Sequence, residues 1–225
     1  MIARRNMQIL SLQKLIDDSL SLENSEPRVP SGKFNPSYLG QCLRKHYWKR
    51  KGEEPSNPPD ARAYRIFKCG HLFEYFMANL IPAQDKQIMV SNDDFMGFAD
   101  VVTDDEVIDI KSINSKAFWY MDKPTYKINE EKYHNILQVI YYAKQLGKPK
   151  ARLVFISKDD LCIREYGFFT IAWEDKLNAE IEALKGVWQK QVLPEADPRA
   201  AWECNYCSFK DKCKLIGGKV WKEKA

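Results

Sequence analysis

Gly97-Phe-Ala-Asp-Val-Val-Thr-Asp-Asp-Glu-Val-Ile-Asp-Ile-Lys111 reads as two apolar strands around an acidic turn, carrying Asp100, Asp109 and Lys111. Side chains alternate along a strand, so Asp109 and Lys111 share one face while Ile108 and Ile110 occupy the other. Burying the isoleucine face fixes the direction of the charged one. Two carboxylates on neighbouring strands can hold a hard divalent cation through oxygen, and an adjacent lysine can position or help deprotonate a water. Phosphodiester hydrolysis requires that inventory. Over this stretch alone, a surface hairpin with solvated acids would read the same.

An acid-any-lysine triplet is weak evidence, and this chain has three: Glu130-Glu131-Lys132, Glu174-Asp175-Lys176 and Asp109-Ile110-Lys111. The first two lie in polar, helix-starting contexts. The third lies in a β-branched run preceded by a second acid on a partner strand, and that context distinguishes it.

With 225 residues and 44% hydrophobic content, the chain can bury a sizeable core. No apolar run is long enough to span a bilayer, and Met1-Ile-Ala-Arg-Arg is not followed by a signal-peptide core, so no membrane partner and a cytoplasmic location are expected. The net charge of +4 is modest, but cations cluster at Arg44, Lys45, Lys49, Arg50 and Lys51 and again at Lys210, Lys212, Lys214, Lys219, Lys222 and Lys224. Such clusters suit a polyanion, or a plain solvated surface. A cytosolic chain keeps its thiols reduced, so the six cysteines are not read as a disulfide framework. Cys204-x2-Cys207-x5-Cys213 is a tight group and Cys42 stands alone upstream, whereas Cys69 and Cys162 fall inside apolar patterns and are expected in the core.

Periodicity predicts an N-terminal helix over 7–22, a linker over 25–33, and a helix opened by Asn35-Pro36 that carries Cys42 and runs to Gly52. After a proline-rich linker, Asp60 caps a helix over 61–80 expected to bury Ile66, Cys69, Phe73, Phe76, Met77 and Leu80, with Gly70 leaving room for close approach one turn before Glu74. Strands follow over 87–91, 95–102 and 107–113, then a helix over 129–146 placing Gln138 and Tyr142 on one face, strands over 151–157 and 162–170, and a helix over 173–191. The fold class is α/β, a mixed sheet flanked by helices. Trp119 and Tyr120 are expected in the core, with stacking on an unpaired base as their other use.

Taken in order, Gly70-x3-Glu74, Gly97-x2-Asp100, Asp109-x-Lys111 and Gln138-x3-Tyr142 resemble the RecB-like branch of the PD-(D/E)XK nuclease superfamily. The resemblance implies a restriction-endonuclease-like fold and a Mg2+- or Mn2+-dependent deoxyribonuclease. Glu74, Asp100, Asp109 and the Ile110 carbonyl would be metal ligands and Lys111 the partner of the attacking water; His71 competes with Glu74. Family members often carry glutamate where this chain has Asp109. Gln138 and Tyr142 would support the site or contact DNA.

A cysteine upstream of the core and a C-x2-C-x5-C group after it resemble the iron-sulfur nucleases of this superfamily, including CRISPR adaptation exonucleases and AddB-type recombination subunits. That resemblance implies a [4Fe-4S] cluster on Cys42, Cys204, Cys207 and Cys213 joining the N- and C-terminal segments, with structural Zn2+ as the alternative. Four thiolates suit either, and closing so long a loop removes entropy from the unfolded chain. Residues 1–30 then form a helix and linker, and 31–225 a single domain with its nuclease core at about 61–170. The expected substrate is DNA, cut as an exonuclease, with Arg44, Lys116 and the basic C-terminal tail guiding its backbone and protein partners in a DNA-processing complex. The rival readings are a non-catalytic DNA-binding or assembly subunit and a zinc-stapled nucleic-acid module.

Overall fold

The computed structural model describes residues 11–25, 30–83 and 85–217. Residues 7–10 of the expected first helix, part of the 25–33 linker, and Lys219, Lys222 and Lys224 lie outside the described residues. Helix α1 (Leu12–Glu23), capped by Ser11, lies along α3 (Ala61–Leu80), and Arg65 and Lys68 of α3 pair with Asp17 and Glu23 of α1. The helix expected from Asn35 to Gly52 is interrupted. Asn35 caps only a short 3-10 turn (Pro36–Tyr38), Gly40 turns with φ +73°, and α2 (Leu43–Lys51) starts afresh with Cys42 as its N-cap. Cys42 thus stands at the mouth of a helix.

Strands β1 (Asp85–Ser91), β2 (Met96–Val102), β3 (Glu106–Ile113), β4 (Lys150–Ser157) and β5 (Ile163–Phe169) form one sheet in the order 1-2-3-4-5. Every neighbouring pair is antiparallel except β3 and β4, which run parallel. A parallel pair needs a crossover, here supplied by α4 (Ser115–Tyr120), α5 (Ile128–Glu131) and α6 (Tyr133–Gln145). Helix α7 (Glu174–Lys190) follows β5, and the short helices α8 (Ala201–Asn205) and α9 (Lys210–Leu215) carry the C-terminal cysteines.

The sheet is covered on both faces. On one, Val107, Leu153 and Phe155 meet Ile136, Val139 and Ile140 of α6 and Leu177 and Leu184 of α7. On the other, Ile108, Ile110, Val154 and Ile156 meet Met77 and Ala78 of α3. This alternation places Ile108 and Ile110 opposite Asp109 and Lys111, so packing α3 onto the isoleucines aims the charged pair toward the α6 side.

Several expected core residues are not core. Of α3, only Met77 and Ala78 are buried; Ile66, Phe76 and Leu80 are exposed, as are Cys69 and Cys162. The sheet meets α3 only near its C-terminal end, and Cys162 sits in the open turn before β5. A Cβ on Gly70 would meet open space, so no strand approaches closely there among the described residues.

Candidate active site and the cysteine cavity

Strands β2 and β3 pair only at Val101–Ile108 and Val102–Val107, then separate. At the fork, Asp100 Oδ2 accepts a 2.8 Å hydrogen bond from the Ile110 amide, so a carboxylate takes the place of a ladder bond. A strand residue turns its N–H and C=O to the same side, which sends the Ile110 carbonyl into the same gap. Across β1, the partner position of Asp100 is Gln87, whose φ of +51° is the left-handed region that a non-glycine residue enters at a cost of about 1–2 kcal/mol. That turn lets the Gln87 amide donate to both Glu74 Oε1 and, at 3.5 Å, Asp100 Oδ1. Glutamine 87 thereby ties the helical acid to the strand acid; nothing in a polar strand residue advertises that role in the sequence.

Asp109 is only 2% exposed. The Lys111 ammonium lies 2.8 Å from both of its oxygens, but only Oδ1 accepts a hydrogen bond; Oδ2 is buried without a donor among the described residues. Burial pushes Asp109 up to about 7, with Asp100 and Glu74 adding to the effect and Lys111 opposing it. Burial and then Asp100 likewise raise Glu74. For Lys111, burial favours the neutral amine, yet the three carboxylates together outweigh it and hold the group above the ordinary lysine range. Lys111 is therefore an ammonium here, a donor rather than a base. His71 stands 3.9 Å from Glu74 and is largely exposed.

The fourth wall is α6. Tyr142 is buried, bonds with the Gln138 side chain and the Phe98 backbone, and presses its hydroxyl against Gly97. A Cβ at Gly97 would collide with that hydroxyl and lie 2.8 Å from Pro36 Cδ. Only glycine fits there. Buried as it is, Tyr142 supports β2 from behind and cannot itself touch DNA.

Cys42, Cys204, Cys207 and Cys213 line one cavity with Arg44, Lys45, Trp48 and Glu203. Among the described residues, no three His, Cys, Asp or Glu side chains, here or around Asp109, are already gathered as they would be around a bound metal. The donor chemistry nonetheless suits one at each place. The cavity collects soft sulfur donors beside cations, with the Arg44 guanidinium donating to Cys213 Sγ at 3.4 Å, while the sheet site collects hard oxygens, of which buried Asp109 Oδ2 has an ion-pair contact but no hydrogen bond among the described residues. Burial pushes the Cys42 thiol up to about 11 and raises Cys207 too, so both stay protonated until something binds. Arg44 also donates to the Pro194 carbonyl and is buried, which turns it away from any DNA backbone; Lys116 is exposed.

Sequence reasoning missed two acids that join the chain's ends. Buried Glu203 accepts from the Cys42 amide at 2.8 Å and the Arg199 amide at 2.9 Å, and Asp197 accepts from the Leu43 amide at 2.8 Å. Both cap the N-terminus of α2 from a distant segment. Asn57–Asp211 and Glu53–Lys212 continue the seam.

No protein-family model and no curated protein matches the chain. Among solved structures, it is similar to SSO0001, at 17% identity and a TM-score of 0.60, covering 95% of this chain and 98% of that one. It also matches an alkaline exonuclease, LHK-Exo from Laribacter hongkongensis, at 17% identity and a TM-score of 0.45 over 72% of this chain and 96% of that one. The LHK-Exo complex with dAMP gives 15% identity and a TM-score of 0.46 over 71% and 91%. The SSO0001 likeness shows a shared fold across nearly the whole chain.

Proposed function

We propose that this protein is a divalent-cation-dependent deoxyribonuclease of the RecB-like kind that works as an exonuclease. The observation that carries the reading is the placing of Glu74, Asp100 and Asp109 around a β2–β3 fork, with Lys111 held charged beside them. A buried carboxylate cluster costs stability unless it serves a cation or a reaction.

Glu74, Asp100, Asp109 and the Ile110 carbonyl would hold Mg2+ or Mn2+, which when bound would offset charge developing on phosphoryl oxygens and acidify a water. Lys111 orients that water by donating to it while Asp109 keeps the ammonium in place. Gln87 positions Glu74 and Asp100, and Tyr142 with Gln138 steadies the strand that carries Asp100. Lys116 is the exposed cation available to the DNA backbone; Arg44 is reassigned to the cysteine cavity, where its charge favours thiolates. Cys42, Cys204, Cys207 and Cys213 would hold a [4Fe-4S] cluster, favoured over zinc because Cys42 lacks the nearby partner cysteine of a zinc knuckle.

The test is cleavage of single- and double-stranded DNA by purified protein with and without Mn2+. Wild type cuts only with the cation, and Lys111→Ala and Asp109→Ala each lose about 10²–10⁴-fold. Cleavage by either variant at the wild-type rate, or an inactive wild type, overturns the reading.

A further inference from the structure

Helix α4 leaves β3 just after the catalytic strand and ends in Phe118, Trp119 and Tyr120. Its three aromatics have different fates. Phe118 is buried, whereas Trp119 is 51% exposed and Tyr120 41% exposed, against the expectation that the last two belong to the core. Half-exposed tryptophans are usually loosely held, but this one is braced. Arg164 of β5 lays its guanidinium 3.9 Å from the Phe118 ring centre and 5.1 Å from that of Trp119, and Asp122 pairs with the same guanidinium, through Oδ1 at 3.0 Å and through Oδ2. Phe118 meets Trp119 edge-on at 5.3 Å. Asn114 caps the helix, and Asp159 accepts from the Ser115 amide.

The indole is therefore rigid and still open to solvent, so a flat partner can be received with little ordering cost. Charge around it is positive. Lys116 and Lys123, three residues before and four after, have no ion-pair partner among the described residues, and Asp122 is already neutralised by Arg164. Tyr120 is less open than Trp119 and also meets Tyr126 edge-on at 5.7 Å. Chain geometry limits the separation: an extended run from Lys111 to Ser115 and a helical one to Trp119 span roughly 20 Å at most.

We propose that Trp119 is the stacking platform for an unpaired base of the substrate strand, with Lys116 and Lys123 receiving the neighbouring phosphates, so that the acidic site is fed by a single-stranded DNA end. The inference rests on the nucleic-acid reading of that site and adds which form of DNA it receives. Stacking suits any base, whereas a blunt duplex keeps its bases inside and offers the indole nothing to cover.

The test is binding rather than cleavage, so its outcome is separate from the nuclease assay. A dye-labelled single-stranded oligonucleotide and a blunt-ended two-strand duplex are titrated with the full chain, without added divalent cation, and followed by fluorescence anisotropy. Trp119→Ala should weaken single-strand binding about 5- to 100-fold, Trp119→Phe should retain most of it, and binding of the duplex should change less than twofold. Lys116→Ala and Lys123→Ala should each reduce the salt dependence of single-strand binding by about 0.7 in log–log slope. Wild-type protein that does not bind the single strand overturns the proposal. So does Trp119→Ala binding as wild type, weakening equally on both DNAs, or matching Trp119→Phe in its loss; the phenylalanine variant keeps the packing, so equal damage would point to an opened core.

Discussion

The acidic fork and the cysteine cavity both gather metal-type ligands, but they are assembled in opposite ways. In the fork, Asp100, Asp109 and Lys111 lie on two adjacent strands, and each charged group already has a polar partner: the Ile110 amide, Gln87 or its neighbour in the ion pair. Bonds within the sheet set the positions of those groups. The cavity instead joins Cys42 to residues 204–213, and its first thiol is held protonated by burial. What brings its walls together is a seam of long-range bonds from Glu203, Asp197, Asp211 and Lys212. Altering the first site should therefore cost chemistry, and altering the second should cost structure.

The largest expected effect tests the first half. Asp109→Asn should lose about 10²–10⁴-fold in cleavage while its urea unfolding midpoint stays near that of wild type, because the isosteric amide fills the same space and its oxygen can still accept from Lys111. A marked drop in the midpoint would make the fork a structural element. With the proposed cluster bound, the converse pair, Cys204→Ser with Cys207→Ser, should lower unfolding free energy by about 3–5 kcal/mol, the range for opening a cross-link over a long loop, and expose residues 197–213 to limited proteolysis. Unchanged stability would leave the seam alone holding the ends. Gly97→Ala, which forces β2 against Tyr142, should cost about 1–3 kcal/mol and reduce cleavage together, since it moves the strand bearing Asp100.

A smaller effect reports on the ground between the two regions. His134 lies 5.0 Å from Trp202 of α8, and burial, reinforced by Lys132, Lys111 and Lys45, pushes it down to about 4. A histidine neutral in the fold and near 6.5 when unfolded contributes stability that is present above 6.5 and lost as pH falls toward 4. Lowering the pH from 7 to 5 should thus cost about 1–2 kcal/mol from this group, with His46, also driven well down by burial, adding in the same sense. His134→Gln should shallow that slope in urea titrations; an unchanged slope would place the acid sensitivity elsewhere. The smallest effect is Gln87→Gly, which should leave stability within about 1 kcal/mol of wild type as relief of the left-handed backbone offsets the lost bonds, yet cut cleavage about tenfold. If cleavage is unchanged, Gln87 does not position the acids.

The strands, the helix from Ala61 to Leu80 and the face shared by Asp109 and Lys111 were legible because alternation and helical periodicity report local geometry directly. What periodicity could not say was how far the sheet extends along α3, so Ile66, Phe76 and Leu80 looked buried and are not. Gln87 was invisible because its role depends on a positive φ opposite Asp100, and Glu203 because an acid just before a cysteine looks like a solvated spacer. Arg44 was assigned by charge to DNA, whereas its burial against Pro194 and Cys213 is a tertiary fact. The brace on Trp119 comes from Arg164 in another strand, beyond the reach of a local pattern.

The bond from Glu203 to the Cys42 amide spans 161 positions in the chain. At ribosomal speeds of about 5–20 residues per second, the mouth of α2 waits roughly 8–30 s for the carboxylate that caps it. Throughout that interval the nascent chain carries an uncapped helix start and a lone Cys42, and the last strand of the sheet, ending at Phe169, is made before Glu203. Strand pairing therefore has a head start over end closure, and the acidic fork can be complete before the cavity has its second wall.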